Sequence, residues 1–237
     1  MRAFTYHVPV PPEARRIEYV DVKMDQGAFD YDALLGQWER AAWRHGAMPS
    51  ICTWTENAAE PMYQRVRAML GFVEEHLSEP IVFLDSDAFL NADISGIFAG
   101  DWDIGVTYRH NMGMALNEGV IFVNNRRPDA VRAFFRAYLA AYDRLIADPA
   151  VQAKYGNIKR WRGGQLSLNA IANPLGLPNA LDRIECHGAM VAYFPCWKWN
   201  FPADRVDKAE LDTKAIVHLK GGRKHLLDAF IKYQEGK

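Results

Sequence analysis

The sequence is poor in cysteine, and it has neither a long apolar run nor a surplus of charge of either sign. Its cysteines, Cys52, Cys186 and Cys196, are odd in number and widely spaced, so they predict neither a disulfide framework nor a zinc site. A reducing compartment suits such a chain, and we expect a cytoplasmic protein. No apolar segment approaches the roughly 20 residues that cross a bilayer, and the early prolines and charges do not fit a signal peptide.

The balance of charge also excludes one class of partner. With a formal net charge of -1 over 237 residues, no electrostatic surplus favours binding to nucleic acid. The length suits one domain with a full hydrophobic core. We therefore predict a single domain over residues 1–237.

Short apolar blocks alternate with helical patterns along the chain, which indicates an α/β fold. The pattern predicts strands at 2–8, 17–23, 50–55, 81–84, 103–108, 119–124 and 214–219. It predicts helices at 31–45, from Pro61, at 129–147, at 164–173 and from about Lys224. The segment 176–214 is rich in proline and tryptophan, and we expect it to be irregular.

Two carboxylates follow the most apolar of these strands. Asp85 and Asp87 flank Ser86 at the end of the strand IVFL, and ligands of open α/β sheets bind at the carboxyl ends of strands. Two ionised carboxylates so close repel each other unless a cation lies between them, and a hard divalent ion would relieve that repulsion. The alternative is a polar turn. A second pair, Asp101 and Asp103, precedes its strand, and we interpret it as a turn.

The segment HLKGGRK, residues 218–224, has the chemistry of a metal and phosphate site. A neutral imidazole at His218 can complete a metal shell that carboxylates begin. The glycines allow a close approach of the backbone to a ligand, and Lys224 would suit a diphosphate. The alternative is a glycine-rich hinge before a basic surface helix.

Taken together and in order, these segments resemble the GT-A glycosyltransferases, most closely the retaining type of glycosyltransferase family 8. The resemblance covers most of residues 61–230. It rests on segments with matching order, namely IVFLDSD, NEGVIFVN, GGQLSLN, WKWN and the H-x-x-G-x-x-K of HLKGGRK.

The resemblance implies a fold, a reaction and a set of residue roles. The fold would be a mixed, mostly parallel sheet flanked by helices, with residues 1–125 binding nucleotide and metal and 126–237 facing the acceptor. The reaction would transfer a hexose from a nucleotide sugar, UDP-glucose or UDP-galactose, to a glycan, protein or small-molecule acceptor. Because that acceptor could be a lipid, peripheral contact with a membrane stays open.

The implied roles divide between the metal, the nucleotide and the sugar. Manganese or magnesium would be bound by Asp85, Asp87 and His218. Lys224 and the Gly221 backbone would hold the leaving diphosphate, with Ser86 near the ribose. The other implied donor contacts are Tyr6 and His7 at the base and ribose, a basic residue at Arg67, and Asn117 and Gln165 at the sugar.

Two departures from the family pattern concern the sugar site. Gly164 stands where the family usually has an aspartate before the helical glutamine, and Glu118 stands where it usually has a small residue. Glu118 could supply the missing carboxylate or point away from the site. If the reaction inverts the sugar, Glu118 or Asp182 would be the base that deprotonates the acceptor.

Other interpretations stay open at this point. A sugar-phosphate nucleotidyltransferase shares the sheet but has a glycine-rich loop after its first strand, which this chain lacks. A phosphatase of the haloacid-dehalogenase type also uses Asp-x-Asp, although normally after its first strand. A non-catalytic carbohydrate-binding relative would suit the aromatic residues Tyr193, Trp197 and Trp199, which could stack on a sugar or pack in the core.

Overall fold

A computed structural model describes residues 1–7, 16–18, 23–25, 31–54, 60–110, 114–172 and 183–237. The strands are β1 (Arg2–His7), β2 (Arg16–Glu18), β3 (Lys23–Asp25), β4 (Met48–Thr53), β5 (Ile81–Leu84), β6 (Ala88–Leu90), β7 (Ile104–Tyr108), β8 (Leu116–Val123), β9 (Arg183–Cys186), β10 (Ala189–Pro195), β11 (Phe201–Pro202) and β12 (Ile216–His218). The helices are α1 (Tyr31–Arg44), α2 (Pro61–Glu75), α3 (Pro128–Ala147), α4 (Pro149–Tyr155), α5 (Gly163–Ala172), α6 (Cys196–Trp199), α7 (Lys208–Leu211) and α8 (Leu227–Glu235). Two 3-10 helices span Ser95–Ala99 and Gly221–Leu226.

The central sheet has seven strands in the order β4-β1-β5-β8-β7-β10-β9. β1, β4 and β5 are mutually parallel, and β7 and β10 run in the same direction because β8 lies antiparallel between β5 and β7. Five of the seven strands therefore point to one edge. The predicted mixed, mostly parallel sheet is confirmed.

A hydrophobic core lies on each face of this sheet. On one face α2, α3 and α5 pack through residues such as Val66, Phe134 and Leu168. On the other face α1, β6 and α8 contribute Trp38, Phe89 and Phe230. Both faces are covered, which explains why β5 is apolar at every position and has no polar side.

A smaller sheet attaches the site to this framework. Its strand order is β11-β12-β6, with β12 parallel to β11 and antiparallel to β6. Since β6 follows β5 after a turn of only three residues, Asp85 to Asp87, the small sheet brings the C-terminal segment to the end of β5.

The prediction that the segment 176–214 is irregular is wrong for its described part, residues 183–214. It contains β9, β10, α6, β11 and α7, and β10 is a strand of the main sheet beside β7. The sequence AMVAYFP of β10 is apolar on both faces, as IVFL is, and the tryptophans that suggested a loop lie after the strand ends.

Two boundaries also differ from the prediction. β8 begins at Leu116, so Asn117 and Glu118 lie inside the strand, next to an irregularity in its pairing with β7. The closing helix begins only at Leu227, because a 3-10 helix occupies Gly221–Leu226. The second predicted strand, 17–23, is not one continuous strand. Its described residues belong to β2 and β3, which form a separate antiparallel pair.

All three cysteines are free thiols. Among the described residues, none of the helices combines the length and the apolarity that a membrane span requires.

Candidate metal and donor site

Three potential metal ligands converge at the carboxyl edge of the sheet. Asp85, Asp87 and His218 each offer an atom within 4.8 Å of the others. The turn after β5 makes this contact possible, because it leads directly into β6, where Ala88 pairs with His218 of β12. The Leu219 N–H donates to the Asp87 carbonyl at 2.8 Å and fixes the register. The predicted grouping is confirmed as a grouping of side chains.

Gly119 leaves room for this convergence. A Cβ atom at Gly119 would lie 2.7 Å from Asp85 Oδ2 and 2.9 Å from His218 Cε1. The Asp85 N–H donates to the Gly119 carbonyl at 2.9 Å, so the backbone of β8 is in direct contact with the first carboxylate. Any larger residue at position 119 would separate Asp85 from His218.

Asn200 orients the imidazole of His218. Its amide nitrogen lies 3.0 Å from Thr107 Oγ1 and 3.1 Å from Asn117 Oδ1, so its oxygen faces His218 Nδ1 at 2.7 Å. His218 Nδ1 therefore donates, and the lone pair of a neutral ring lies on Nε2. Nε2 is 2.9 Å from Asp87 Oδ1.

The donor set fits a divalent ion. Between a carboxylate oxygen and an imidazole lone pair only a cation gives attraction, either a proton on Nε2 or a metal ion. Two aspartates and one histidine are hard to borderline ligands that suit manganese or magnesium. A partner on the far nitrogen, which Asn200 supplies, is the usual support for a metal-binding histidine.

Two cationic side chains compensate the aspartates. Lys224 Nζ lies 2.7 Å from Asp87 Oδ2, and Arg65 Nη2 lies 2.8 Å from Asp85 Oδ1. Burial alone raises the pKa of Asp87, but the Lys224 ammonium and His218 outweigh it and hold that pKa well below its usual range. Asp87 is therefore ionised and ready to bind a cation.

Arg65, and not Arg67, is the basic residue of α2 that reaches the site. Arg65 is 5% exposed, and its Nη2 also donates to the Glu118 carbonyl at 2.9 Å. Arg67 is exposed, with Nη1 3.5 Å from Gln64 Oε1. The sequence offered a signal, since Arg65 stands four positions before the buried Met69, on the apolar stripe of the helix.

Glu118 lies beside Arg65 in a buried cluster. Its Oε2 accepts from the Tyr138 hydroxyl at 3.1 Å and lies 3.7 Å from Arg65 Nη1. A Cβ at Gly164 would lie only 2.0 Å from the same oxygen. Burial raises the pKa of Glu118 in spite of Arg65. The carboxylate of Glu118 thus occupies the space that a side chain at position 164 would need.

The remaining predicted donor residues lie around this centre. Gly221 has a positive φ of 62°, and Ser86 lies half-buried in the turn between the two aspartates. Asn117 Oδ1 accepts from the Gly119 N–H at 2.8 Å, and Gln165 lies half-buried next to Gly164. Their predicted contacts with a donor stay predictions.

Tyr6 and His7 end β1, the strand next to β5. Both are buried, and the Tyr6 hydroxyl has no hydrogen-bond partner among the described residues. Burial raises the pKa of Tyr6 and lowers that of His7. Asp182, the second predicted base, lies outside the described residues.

Two of the three aromatic residues that could stack on a sugar are core residues. Tyr193 is buried, and Trp199 packs against Phe122 and Phe194. Trp197 is 58% exposed, with Lys214 Nζ 5.5 Å from its ring centre.

No family model matches this sequence, and no curated protein matches it closely. The fold, however, has solved relatives. A glycosyltransferase involved in the glycosylation of the major capsid of PBCV-1 superimposes with a TM-score of 0.55 at 13% identity, covering 98% of this chain and 100% of its own.

Two further structures are similar over part of their length. The glycosyltransferase GlyE of Streptococcus pneumoniae TIGR4 gives a TM-score of 0.53 at 12% identity, and the present chain spans 60% of it. The bifunctional glycosyltransferase WbbM gives 0.51 at 11% identity, with 49% of its chain spanned. These likenesses, at low identity, show the fold. The predicted GT-A fold is confirmed.

Proposed function

We propose that this protein is a metal-dependent glycosyltransferase that transfers a hexose from a nucleotide sugar, UDP-glucose or UDP-galactose, with retention of configuration. The observation that carries the proposal is the convergence of Asp85, Asp87 and His218 at the carboxyl edge of the sheet. The fold, which is shared with solved glycosyltransferases, supports it. The acceptor would be a glycan, a protein or a small molecule.

The metal centre would stabilise the leaving group. Asp85, Asp87 and His218 would hold manganese or magnesium, which would supply positive charge against the diphosphate. Lys224 already lies at 2.7 Å from Asp87, so its ammonium is placed to contact a diphosphate bound at the same centre. The Gly221 backbone would approach the diphosphate from the same segment. Charge that builds on the leaving oxygen would thus meet fixed positive groups.

The sugar and nucleotide would lie on either side of that centre. We assign the sugar to Asn117, Glu118 and Gln165, because the buried Glu118 carboxylate lies next to the first turn of α5. We assign the nucleotide to Tyr6, His7 and Ser86, and not to Arg67, whose side chain is exposed. Tyr6 and His7 are assigned because they end β1, which pairs in parallel with β5 and so ends beside the turn that carries the two aspartates.

Calorimetric titration of UDP, GDP, CDP and dTDP, with and without manganese, tests the proposal. We expect manganese-dependent binding of UDP that Asp87→Ala abolishes. Asp101→Ala is the matched control, since Asp101 belongs to the second Asp-x-Asp and pairs with Arg126 at the surface. Binding that ignores both metal and Asp87, or no binding of any of the four nucleotides, would contradict the proposed function.

A further inference from the structure

Two cationic side chains near the site have no acidic partner among the residues that the structure describes. Arg109 follows β7, and Lys220 follows β12 by two residues. Whereas Arg65 and Lys224 each contact an aspartate, no carboxylate of the described residues forms an ion pair with Arg109 or Lys220. Arg109 Nε is moreover buried and has no hydrogen-bond acceptor among the described residues. A buried N–H without an acceptor is unfavourable. The Arg109 side chain as a whole is only half-buried, so a small rotation of the guanidinium would let an oxygen of a bound molecule accept this hydrogen bond.

Arg109 and Lys220 both lie near the thiol of Cys196, close to the metal ligands. Burial raises the pKa of this thiol, which follows β10, and the positive charges of both side chains act against that increase. That thiol is hydrogen-bonded to Thr107, whose hydroxyl accepts from Asn200, and Asn200 in turn holds His218. Lys220 also acts on Glu118. Three side-chain contacts therefore connect Cys196, which lies near both cations, with His218 of the metal centre.

The position of Arg109 in the sheet separates it from the nucleotide. β5 and β7 run in the same direction with β8 between them, so Asp85 and Arg109 leave the sheet at the same edge. The Asp85 N–H donates to the carbonyl of Gly119, which lies in β8. The Arg109 N–H donates to the carbonyl of Ala115, the residue before β8 and four positions from Gly119. β1, which carries Tyr6 and His7, lies on the opposite side of β5. Arg109 therefore lies on the side of the centre opposite to β1, where we propose that the nucleotide binds.

We propose that Arg109 and Lys220 bind an acidic group, carboxylate or phosphate, on the acceptor substrate. This inference rests on the proposed function, because it takes the metal centre, which lies between these two cations and β1, to be the donor site. A guanidinium and an ammonium offer several N–H donors to oxygens of such a group, and the attraction is stronger where water is partly excluded. The acceptor class is thus an acidic glycan or a phosphorylated molecule.

A titration with matched small acids tests this proposal. The protein is titrated with glucuronate, glucose 6-phosphate and neutral glucose, in the presence and absence of manganese and UDP, and affinities are read from NMR shifts of the protein. We expect at least one acid to bind at least tenfold more tightly than glucose. The acid that is preferred distinguishes a carboxylate from a phosphate as the recognised group.

Variants decide whether the two cations cause the preference. In Arg109→Gln/Lys220→Gln the preference for the acid should fall below threefold, and in each single variant it should fall partly. Arg223→Gln removes the same charge from the same segment, but Arg223 pairs with Asp204 at the surface, so the preference should persist. A thermal unfolding midpoint for each variant shows that it is folded.

Three outcomes would overturn the proposal: equal affinity for the three probes, no binding of either acid, or a preference that survives in the double variant. Failure of UDP to bind in the presence of manganese is a separate result and contradicts the proposed function. Because the acids are also titrated without UDP, the two failures are distinguishable.

Discussion

At the scale of single residues, Asn200 determines what His218 can bind. The amide holds Nδ1 as a donor at 2.7 Å and so leaves Nε2 for Asp87 or a metal ion. Asn200→Ala removes that support, and we expect the affinity for manganese to fall by about 10–100-fold while the protein stays folded. Electron paramagnetic resonance of free manganese measures the affinity.

A matched asparagine serves as the control for this substitution. Asn157 accepts from the Lys159 N–H in an exposed turn, and Asn157→Ala should bind manganese as the wild type does. If Asn200→Ala keeps its affinity, His218 is not a ligand in the tautomer that the hydrogen bonds assign.

Glu118 should make the stability of the protein depend on pH. Its native pKa is raised above the ordinary value of 4.5, chiefly by burial, so ionised Glu118 lowers the free energy of unfolding at pH 8. The penalty disappears as the pH falls through the raised native pKa towards 4.5, because the carboxyl is then protonated in the folded state. Glu118→Gln should therefore stabilise the protein at pH 8, and this gain should shrink as the pH is lowered.

Urea unfolding of both proteins between pH 4.5 and 8 measures this difference. Glu75→Gln, at an exposed position near the end of α2, controls for the loss of a negative charge as such. A difference that grows as the pH falls would mean that the attraction between Glu118 and Arg65 outweighs the effect of burial.

The residues of the centre differ in how far the sequence predicts them. Asp85, Asp87 and His218 stand in motifs, and the structure brings them together. Arg65 stands in no motif, and its position on the apolar stripe of α2 was its only signal. Contacts such as that of Arg65 with Glu118 depend on the packing of α2 against β8, which spacing along the chain does not reveal.

At the scale of elements, the first turn of α5 requires glycine for steric reasons. A Cβ at Gly164 would lie 2.0 Å from Glu118 Oε2, and one at Gly163 would lie 2.1 Å from the Tyr142 hydroxyl. We expect Gly164→Ala to destabilise the protein by about 1–3 kcal/mol, because Glu118 must leave its place beside Tyr138.

A glycine-to-alanine substitution in α2 should have the opposite effect on the free energy of unfolding. Gly71 lies inside this helix, and a Cβ there would meet no atom within 4 Å. Gly71→Ala should therefore stabilise the protein by about 0.5–1 kcal/mol, since alanine loses less backbone entropy in a helix. Chemical denaturation of both variants compares the signs. Equal effects would contradict the steric explanation for Gly164.

Long periodic elements were predictable, and short ones were not. α3 carries a stripe of six buried residues over 20 positions, so its period is plain in the sequence. β6 and β12 have three residues each, too few for a period, yet their pairing joins Asp87 to His218 across 131 positions. The sequence therefore predicts which residues are chemically suited, whereas only the fold shows the register that unites them.

At the scale of the whole molecule, the candidate site draws on both cores. Arg65 comes from α2 on one face of the sheet, while His218 and Lys224 come from the segment that α8 anchors on the other face. Gln234 of α8 is buried and donates to the Leu90 carbonyl of β6 at 3.0 Å, next to the strand that carries His218. Because the central strands contribute to both cores, neither core can be lost while the site stays intact.

Ligand binding should therefore stabilise the molecule as one unit. A ligand that binds only the folded state at a hundred times its Kd adds about 2.7 kcal/mol to the free energy of unfolding. For a chain of this length that corresponds to about 5–10 °C in the unfolding midpoint. We expect this increase with UDP and saturating manganese for the wild type and Asp101→Ala, and none for Asp87→Ala.

Two spectroscopic probes of thermal unfolding test whether the ligands stabilise both faces of the sheet. Circular dichroism follows the helices on both faces, and tryptophan fluorescence follows side chains that include the buried Trp38 and Trp102. If the ligands act on one cooperative unit, both midpoints rise together. Midpoints that separate on binding would mean that the two faces unfold independently, and that the contact between β6 and β12 transmits no stability from Asp87 and His218 to the rest of the sheet.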